Sequence, residues 1–327
     1  MIITRSPLRI TLGGGGTDIP MFYKKHGGNF VSAAISLHVY VSINKVNENR
    51  YILRYSKFEN CEKIDQINHP IIKAVLSYFK IEPGLEITSF ADIKAGTGLG
   101  SSGAFTVALI KAVSIYKKQN LSNKKIAEIA SHIEINILNE PVGVQDTYAS
   151  ALGSVRYFSI NKNGGVSSKD LISYNPKLKS YLSNFYLIYT EQVRNASKEI
   201  NKTIIKANSK EAIFENLFKS KRIGLKAKKL LLTDNNLSAF STELTKQWKI
   251  KLERSPSNFH KLVNKEIESL MSIGCTGGKL VGAGGGGFIL VNCPKNNIVN
   301  VENFLKSKNK QLINFDIDRS GSVAFEL

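Results

Sequence analysis

An α+β fold is what this 327-residue sequence predicts, and three observations predict it. Strand-like alternation and helical periodicity interleave along the chain without the regular strand–helix–strand period of a parallel α/β sheet. The composition is globular, 42% hydrophobic and 22% charged, which excludes disordered and fibrous classes. Glycine is concentrated in three places: of 25 glycines, four lie at 13–16, four within 96–103 and eight within 274–287. Such runs let a backbone turn tightly or come close to a ligand.

Up to the second glycine cluster the chain reads as β-rich, with Val39, Val41 and Ile43 alternating with Tyr40, Ser42 and Asn44. Ser101 or Ser102 opens a helix whose apolar positions are Phe105, Ala108, Leu109, Ala112, Val113 and Tyr116. Leu121-Ser122-Asn123 starts the next, with Ile126, Ile129, Ala130, Ile133 and Ile137 on one face and Pro141 beyond its end. Residues 150–160 read as a strand. Residues 161–184 are polar and turn-rich, the best candidate for a junction, and divide the chain into lobes at 1–172 and 173–327. FYLIYT at 185–190 is an apolar strand, 195–232 is long, basic and helical, and GFILVNC at 287–293 and SVAFEL near the C-terminus close the list of strands. No internal repeat is visible.

The formal net charge of +19 invites a nucleic-acid reading. The 45 basic residues include only nine arginines, leaving 36 lysines spread over the chain. Arginine is the usual choice for planar phosphate and base recognition, so lysine-biased solvated surface is the simpler account and no specific nucleic-acid partner is expected. No apolar run approaches the ~20 residues that span a bilayer, so no membrane is expected. Arginines interrupt the apolar N-terminal stretch, unlike a signal peptide. The odd, distant cysteines Cys61, Cys275 and Cys293 form neither a disulfide framework nor a zinc spacing, and a cytoplasmic location is expected.

Four segments carry chemistry. In KAGTGLGSSGA (94–104), a glycine loop runs straight into the strongest helix; Gly96, Gly98, Leu99, Gly100, Ser101, Ser102 and Gly103 present amides where a helix dipole favours an anion. It is neither a Walker A loop nor a dinucleotide fingerprint. In RSPLRITLGGGGTD (5–18), Arg5 and Arg9 precede a tight turn at Gly15, Gly16 and Thr17 and the carboxylate of Asp18, a set suited to an anionic, hydroxylated ligand. The two arginines share a face only if the strand keeps even register. Glu134 on the second helix and Asp146 after Pro141-Val-Gly fit a hard-cation ligand and a general base; alone such acids are more often solvated or capping, and they gain weight only jointly with the glycine loop. In GGKLVGAGGGGF (277–288), Gly284 and Gly285 lead into a buried strand, which implies close backbone packing beside a loop or ligand.

Together these segments resemble the three motifs of the galactokinase, homoserine kinase, mevalonate kinase and phosphomevalonate kinase (GHMP) superfamily, as PLRITLGGGGTD, GTGLGSSGA and GGKLVGAGGGGF, in the same order and over nearly the whole chain. GGGGTDIPMFY and GVQDTYAS look most like the heptose 7-phosphate kinase branch, with fucokinase domains as relatives. The resemblance implies a ribosomal-protein-like N-terminal lobe, a ferredoxin-like C-terminal lobe and ATP between them. By motif, Ser102 and Glu134 match magnesium positions, Asp146 the catalytic aspartate, Arg9 the cation near it, and Asp18 a sugar-hydroxyl ligand. Gly15 replaces an acid that galactokinases use, which argues against galactose. Tyr189–Ser197 resembles the family's TGxxR segment, with Glu191 in the usual glycine position and Arg194 placed to hold a substrate phosphate. The expected partners are a small sugar phosphate and ATP. A kinase for another sugar such as L-fucose, a basic nucleic-acid-binding protein, and an inactive regulator on the kinase fold are the competing readings. Retention of Ser102, Glu134 and Asp146 together disfavours the last.

Overall fold

The structure, a computed structural model, describes residues 1–192, 210–233, 237–254, 257–282 and 285–326, with Lys210, Leu237 and Ser238 as backbone only. Two long strands, β1 (Ile2–Gly13) and β2 (Gly28–Lys45), pair antiparallel along most of their length. They are joined through helix α1 (Pro20–His26). Strands β3 (Tyr51–Arg54), β4 (Phe58–Cys61) and β5 (Leu85–Ala91) extend this sheet, with β3 parallel to β5. The length of β2 serves two neighbours: its second half pairs with β5, its first half with β6 (Val155–Ile160), which forms a hairpin with β7 (Val166–Asp170). The second sheet contains β8 (Phe185–Tyr189), β9 (Gly277–Leu280), β10 (Phe288–Asn292) and β11 (Leu312–Ile313), all antiparallel, in the order β11–β8–β10–β9. Strand β12 (Val323–Glu326) returns to the first sheet and pairs with β1.

On the first sheet pack α2 (Pro70–Tyr78), α3 (Ser101–Tyr116), α4 (Asn123–His132) and α5 (Gln145–Leu152) over one apolar core. Helix α3 is buried on almost every side because it lies between the sheet and α2, α4 and α5. Of its inward polar positions, Ser114 Oγ donates to Lys111 O at 2.8 Å, while Thr106 Oγ1 lies 3.0 Å from Ser102 O and reaches out toward Glu134. After α6 (Lys177–Leu182) come α7 (Lys210–Leu232), α8 (Leu237–Arg254), α9 (Asn258–Ser272) and α10 (Ile298–Lys306). A second core joins the lobes: Leu8, Ile10 and Leu12 of β1 pack with Leu187, Phe240, Val281 and Phe288. Burying such side chains stabilises by about 1.5–3 kcal/mol each, so the lobes share a core and are not beads on a linker. No described helix is long and apolar enough to cross a membrane.

Three expectations are corrected. Residues 150–152 end α5, and the strand begins at Val155. Residues 161–170 are the turn and second arm of the β6–β7 hairpin, so the polar stretch is partly sheet, with polar side chains on an exposed edge. The expected division at 172/173 does not hold for Val323–Glu326, which belong to the first sheet through long-range pairing that no local pattern encodes.

Candidate active site

A cavity of about 700 Å³ opens between the α3–α5 layer and the second lobe, within the range of small-molecule sites. One wall is the glycine loop. Gly96, Gly98 and Gly100 have φ of 80°, 80° and 78°, and Gly100 caps α3. An added Cβ would lie 2.9 Å from the Val281 carbonyl oxygen at Gly98, and 2.7 Å from Asp146 Cβ at Gly103. The loop is thus pressed against β9's end on one side and α5 on the other. Ser101, Ser102 and Gly103 head α3, with Ala104 N donating to Gly100 O at 3.0 Å. Leu99 differs from its neighbours: its side chain is fully buried, and its carbonyl accepts from Arg9 N at 2.9 Å.

At the cavity's centre, Arg9 Nε and Nη2 each lie 2.7 Å from Asp146 Oδ1, and Arg9 Nη1 donates to Gly98 O at 2.6 Å. Asp146 keeps 32% of its side chain exposed, toward the cavity. Arg5 does not join it. The β1–β2 pairing shifts register between Pro7 and Leu8. Thr4 reaches the Ala108 carbonyl on α3 while Arg9 reaches α5, so even and then odd positions face the same layer. Arg5 is turned away, 5.9 Å from the Phe325 ring on β12.

The first glycine run forms the next wall. Gly15, Gly16 and Asp18 line the cavity. Thr17 does not: it is fully buried, its hydroxyl donating to Asn29 O at 2.6 Å, lying 2.9 Å from Gly14 O and accepting from Asn29 N at 3.0 Å, and it holds the turn together. Asp18 Oδ1 accepts from Gly16 N and Oδ2 from Gln145 N, both at 3.1 Å. Burial, and then the charge of Asp146, raises the Asp18 pKa. A Cβ at Gly143 would stand 1.9 Å from Asp18 Oδ2, so the Pro-Val-Gly turn needs its glycine for steric room.

Glu134 lies in a π-helical turn, Ile133–Ile137, that extends α4. Its Oε1 accepts from Thr106 Oγ1 at 2.8 Å and lies 3.3 Å from Ser102 Oγ. Burial pushes its pKa up to about 7. A buried carboxylate beside a serine hydroxyl, at a loop able to present anions, is a donor set that fits a hard cation shared with phosphate oxygens. Among the described residues no group of three His, Cys, Asp or Glu forms a metal cage.

The far wall holds residues that sequence reasoning missed. Lys251 and Arg254 come from α8 and Lys279 from β9. Lys251 Nζ donates to Gly282 O, and Lys279 Nζ to Gln247 Oε1 at 2.9 Å. Burial, with Arg9 adding repulsion, holds the Lys279 pKa at about 7. Burial and then Lys279 and Arg254 depress that of Lys251. A signal existed: Lys279 is the one charge in a strand otherwise glycine and leucine, and Gln247, Lys251 and Arg254 follow i, i+4, i+7 spacing. Gly285 lines the cavity, and Glu191 has φ 60°, the conformation glycine adopts most readily. Arg194, Gly284 and Lys198, Lys202 and Lys206 of the basic stretch lie outside the described residues.

Fold and site resemble those of the GHMP-type kinases, a class of phosphotransferases. Residues 67–154 match the GHMP kinases N-terminal domain. The chain is 26% identical to the D-glycero-alpha-D-manno-heptose 7-phosphate kinase of Campylobacter jejuni, covering 100% of this chain and 99% of that one. It is 26% identical to the mevalonate kinase of Methanocaldococcus jannaschii over 88% of this chain and 91% of the other. Among solved structures, a D-glycero-D-manno-heptose 1-phosphate kinase from Bacteroides thetaiotaomicron superposes with a TM-score of 0.81 at 22% identity, covering 100% of this chain and 99% of its own. Lactococcus lactis galactokinase complexed with galactose superposes at 0.74 and 16% identity, covering 100% and 95%.

Proposed function

We propose that this chain transfers the γ-phosphoryl group of ATP to the anomeric C1 hydroxyl of D-glycero-D-manno-heptose 7-phosphate, giving the 1,7-bisphosphate. The observation that carries this reading is one cavity with a glycine loop at a helix N-terminus on one wall, a carboxylate–guanidinium pair at its centre and buried charge opposite. Backbone amides of Gly96, Gly98, Leu99, Gly100, Ser101, Ser102 and Gly103 cradle the nucleotide phosphates. Ser102 and Glu134 would hold magnesium, which when bound would supply charge neutralisation at the transferred group. Asp146 accepts the proton of the attacking hydroxyl, and Arg9 fixes its orientation through two contacts to one oxygen. Asp18, held by two amides, keeps lone pairs for sugar hydroxyls, with the Gly15–Gly16 turn and Gly285 shaping the pocket.

The two heptose kinases among the relatives are named for acceptors phosphorylated at opposite ends. An ADP-release assay over heptose 7-phosphate, heptose 1-phosphate, free heptose and L-fucose separates these, and phosphorus NMR of the product fixes the new ester. Heptose 7-phosphate should have the highest kcat/KM, and its product should show phosphorus coupled to the anomeric proton. Preference for L-fucose, or equal turnover of free heptose and its 7-phosphate, would overturn the assignment.

A further inference from the structure

The cations on the far wall exceed what the reaction centre uses. Arg9 is committed to Asp146 and Gly98, and Lys251 to the Gly282 carbonyl beside the glycine loop. Arg254 and Lys279 are left. Among the described residues neither forms an ion pair with a carboxylate, and Lys279, 5% exposed, uses one of its three donors on Gln247. Burying such groups is costly; only the charge of Asp18 offsets that of Arg254, without an ion pair, and both cations face a cavity that an anion can enter.

Their position separates them from the nucleotide wall. Arg254 Nη1 lies 3.1 Å from the point where a Cβ on Gly16 would sit, beside the Asp18 turn. Asp18 in turn accepts from the amide of Gln145, the residue before Asp146. Reacting centre, hydroxyl ligand and cation therefore follow one another along the acceptor wall. Lys279 approaches the same turn through Gln247, whose Nε2 lies 3.8 Å from the Cβ position of Gly15. A planar guanidinium held near Asp18 but not ion-paired with it suits two oxygens of a phosphate monoester.

We infer that Arg254, backed by Lys279, is the subsite for a phosphate carried by the acceptor sugar at the end remote from the reacting hydroxyl. The inference rests on the proposed sugar-phosphate reading and deepens it. It replaces Arg194, the residue the sequence offers for that role. Binding energy from this remote group is used to orient the hydroxyl at Asp146.

The test is kcat/KM on heptose 7-phosphate and on free heptose for the wild type, Arg254→Met, Arg254→Lys, Lys279→Met and Arg194→Ala, with inorganic phosphate as a competitor against the phosphorylated sugar. Arg254→Met should reduce the preference for the phosphorylated sugar roughly 10²-fold, the loss of a charged hydrogen-bond pair, mainly through KM. Arg254→Lys should recover part of it, and Lys279→Met should show a smaller reduction. Competition by phosphate should weaken in parallel. An Arg254→Met enzyme that slows equally on both sugars, or keeps its preference while Arg194→Ala loses it, overturns the subsite. A wild type with no preference overturns the substrate reading itself, which the first comparison reveals before any variant is made.

Discussion

The two walls of the cleft are made of different material. One is backbone: the 96–103 loop packs against Val281 and Gly282 so closely that a Cβ at Gly282 would sit 2.5 Å from Gly98 Cα, and one at Gly287 1.8 Å from the Thr97 carbonyl oxygen. The other is side chain: Asp18, Gln247, Lys251, Arg254 and Lys279 reach in from three different segments. A backbone wall can hold any phosphate chain of the right shape, because amides are common to all residues. A side-chain wall sets which partner enters, since each charge must be answered. The contrast teaches that reaction class and acceptor identity are encoded separately here, and it can be broken experimentally.

The largest effect is expected where the walls meet. Asp146→Asn should lower kcat by ~10² or more while leaving nucleotide binding, read with a fluorescent ATP analogue, unchanged. Near-normal turnover would remove Asp146 from the chemistry. A smaller effect should sharpen the backbone side: Gly98→Ala forces φ 80° on an L-residue and brings a methyl within 2.9 Å of the Val281 oxygen. At ~1–2 kcal/mol for the conformation, nucleotide affinity should fall about tenfold with the acceptor KM unmoved. If the acceptor KM moved instead, the walls would not be separable.

The smallest effect concerns Glu134. Its folded pKa of about 7 stands above the ordinary 4.5, mainly through burial, so the folded protein binds this proton more readily than the unfolded chain. Stability therefore falls as pH rises from 4.5 through 7. The ligand-free protein should lose a few degrees of Tm across that window, and Glu134→Gln should flatten the slope. Magnesium nucleotide should restore the wild type only, and the variant should need more magnesium for half-maximal rate. A slope unchanged by Glu134→Gln would place the titration elsewhere.

What was legible in the sequence follows the same division. Glycine clusters ahead of a strong helix report a backbone site directly, because left-handed φ and missing Cβ atoms are needed only where chains crowd. Asp18, Glu134 and Asp146, which line the cavity, stand out in the sequence because acids are scarce in this chain, 26 against 45 basic residues. For the same reason Lys251 was hidden, since the i, i+4, i+7 spacing of Gln247, Lys251 and Arg254 is shared by any solvated helix face, and Lys279 was marked only as the single charge in Gly277–Leu280. Arg5 was misassigned because strand alternation extrapolates through Pro7–Leu8, where the register shift inverts it. The strands at 185–189 and 288–292 were readable from apolar runs, whereas the pairing of β12 with β1 depends on contacts across the whole sequence.

That last pairing has a consequence for how the protein is made. A ribosome delivers the strands from β1 to β7 early, yet β1 lacks its outer neighbour until Val323–Glu326 emerge, after the whole second lobe. Ser322 then docks onto Ser6 at 2.8 Å, and Asp318 onto His38 at 2.8 Å. Throughout synthesis, at ~5–20 residues per second, the strand that carries Arg9 is an open sheet edge, the kind of surface on which chains pair wrongly. Completion of β1 is thereby timed by the emergence of Val323–Glu326, and a nascent chain stalled in the second lobe holds the glycine loop but not a finished β1.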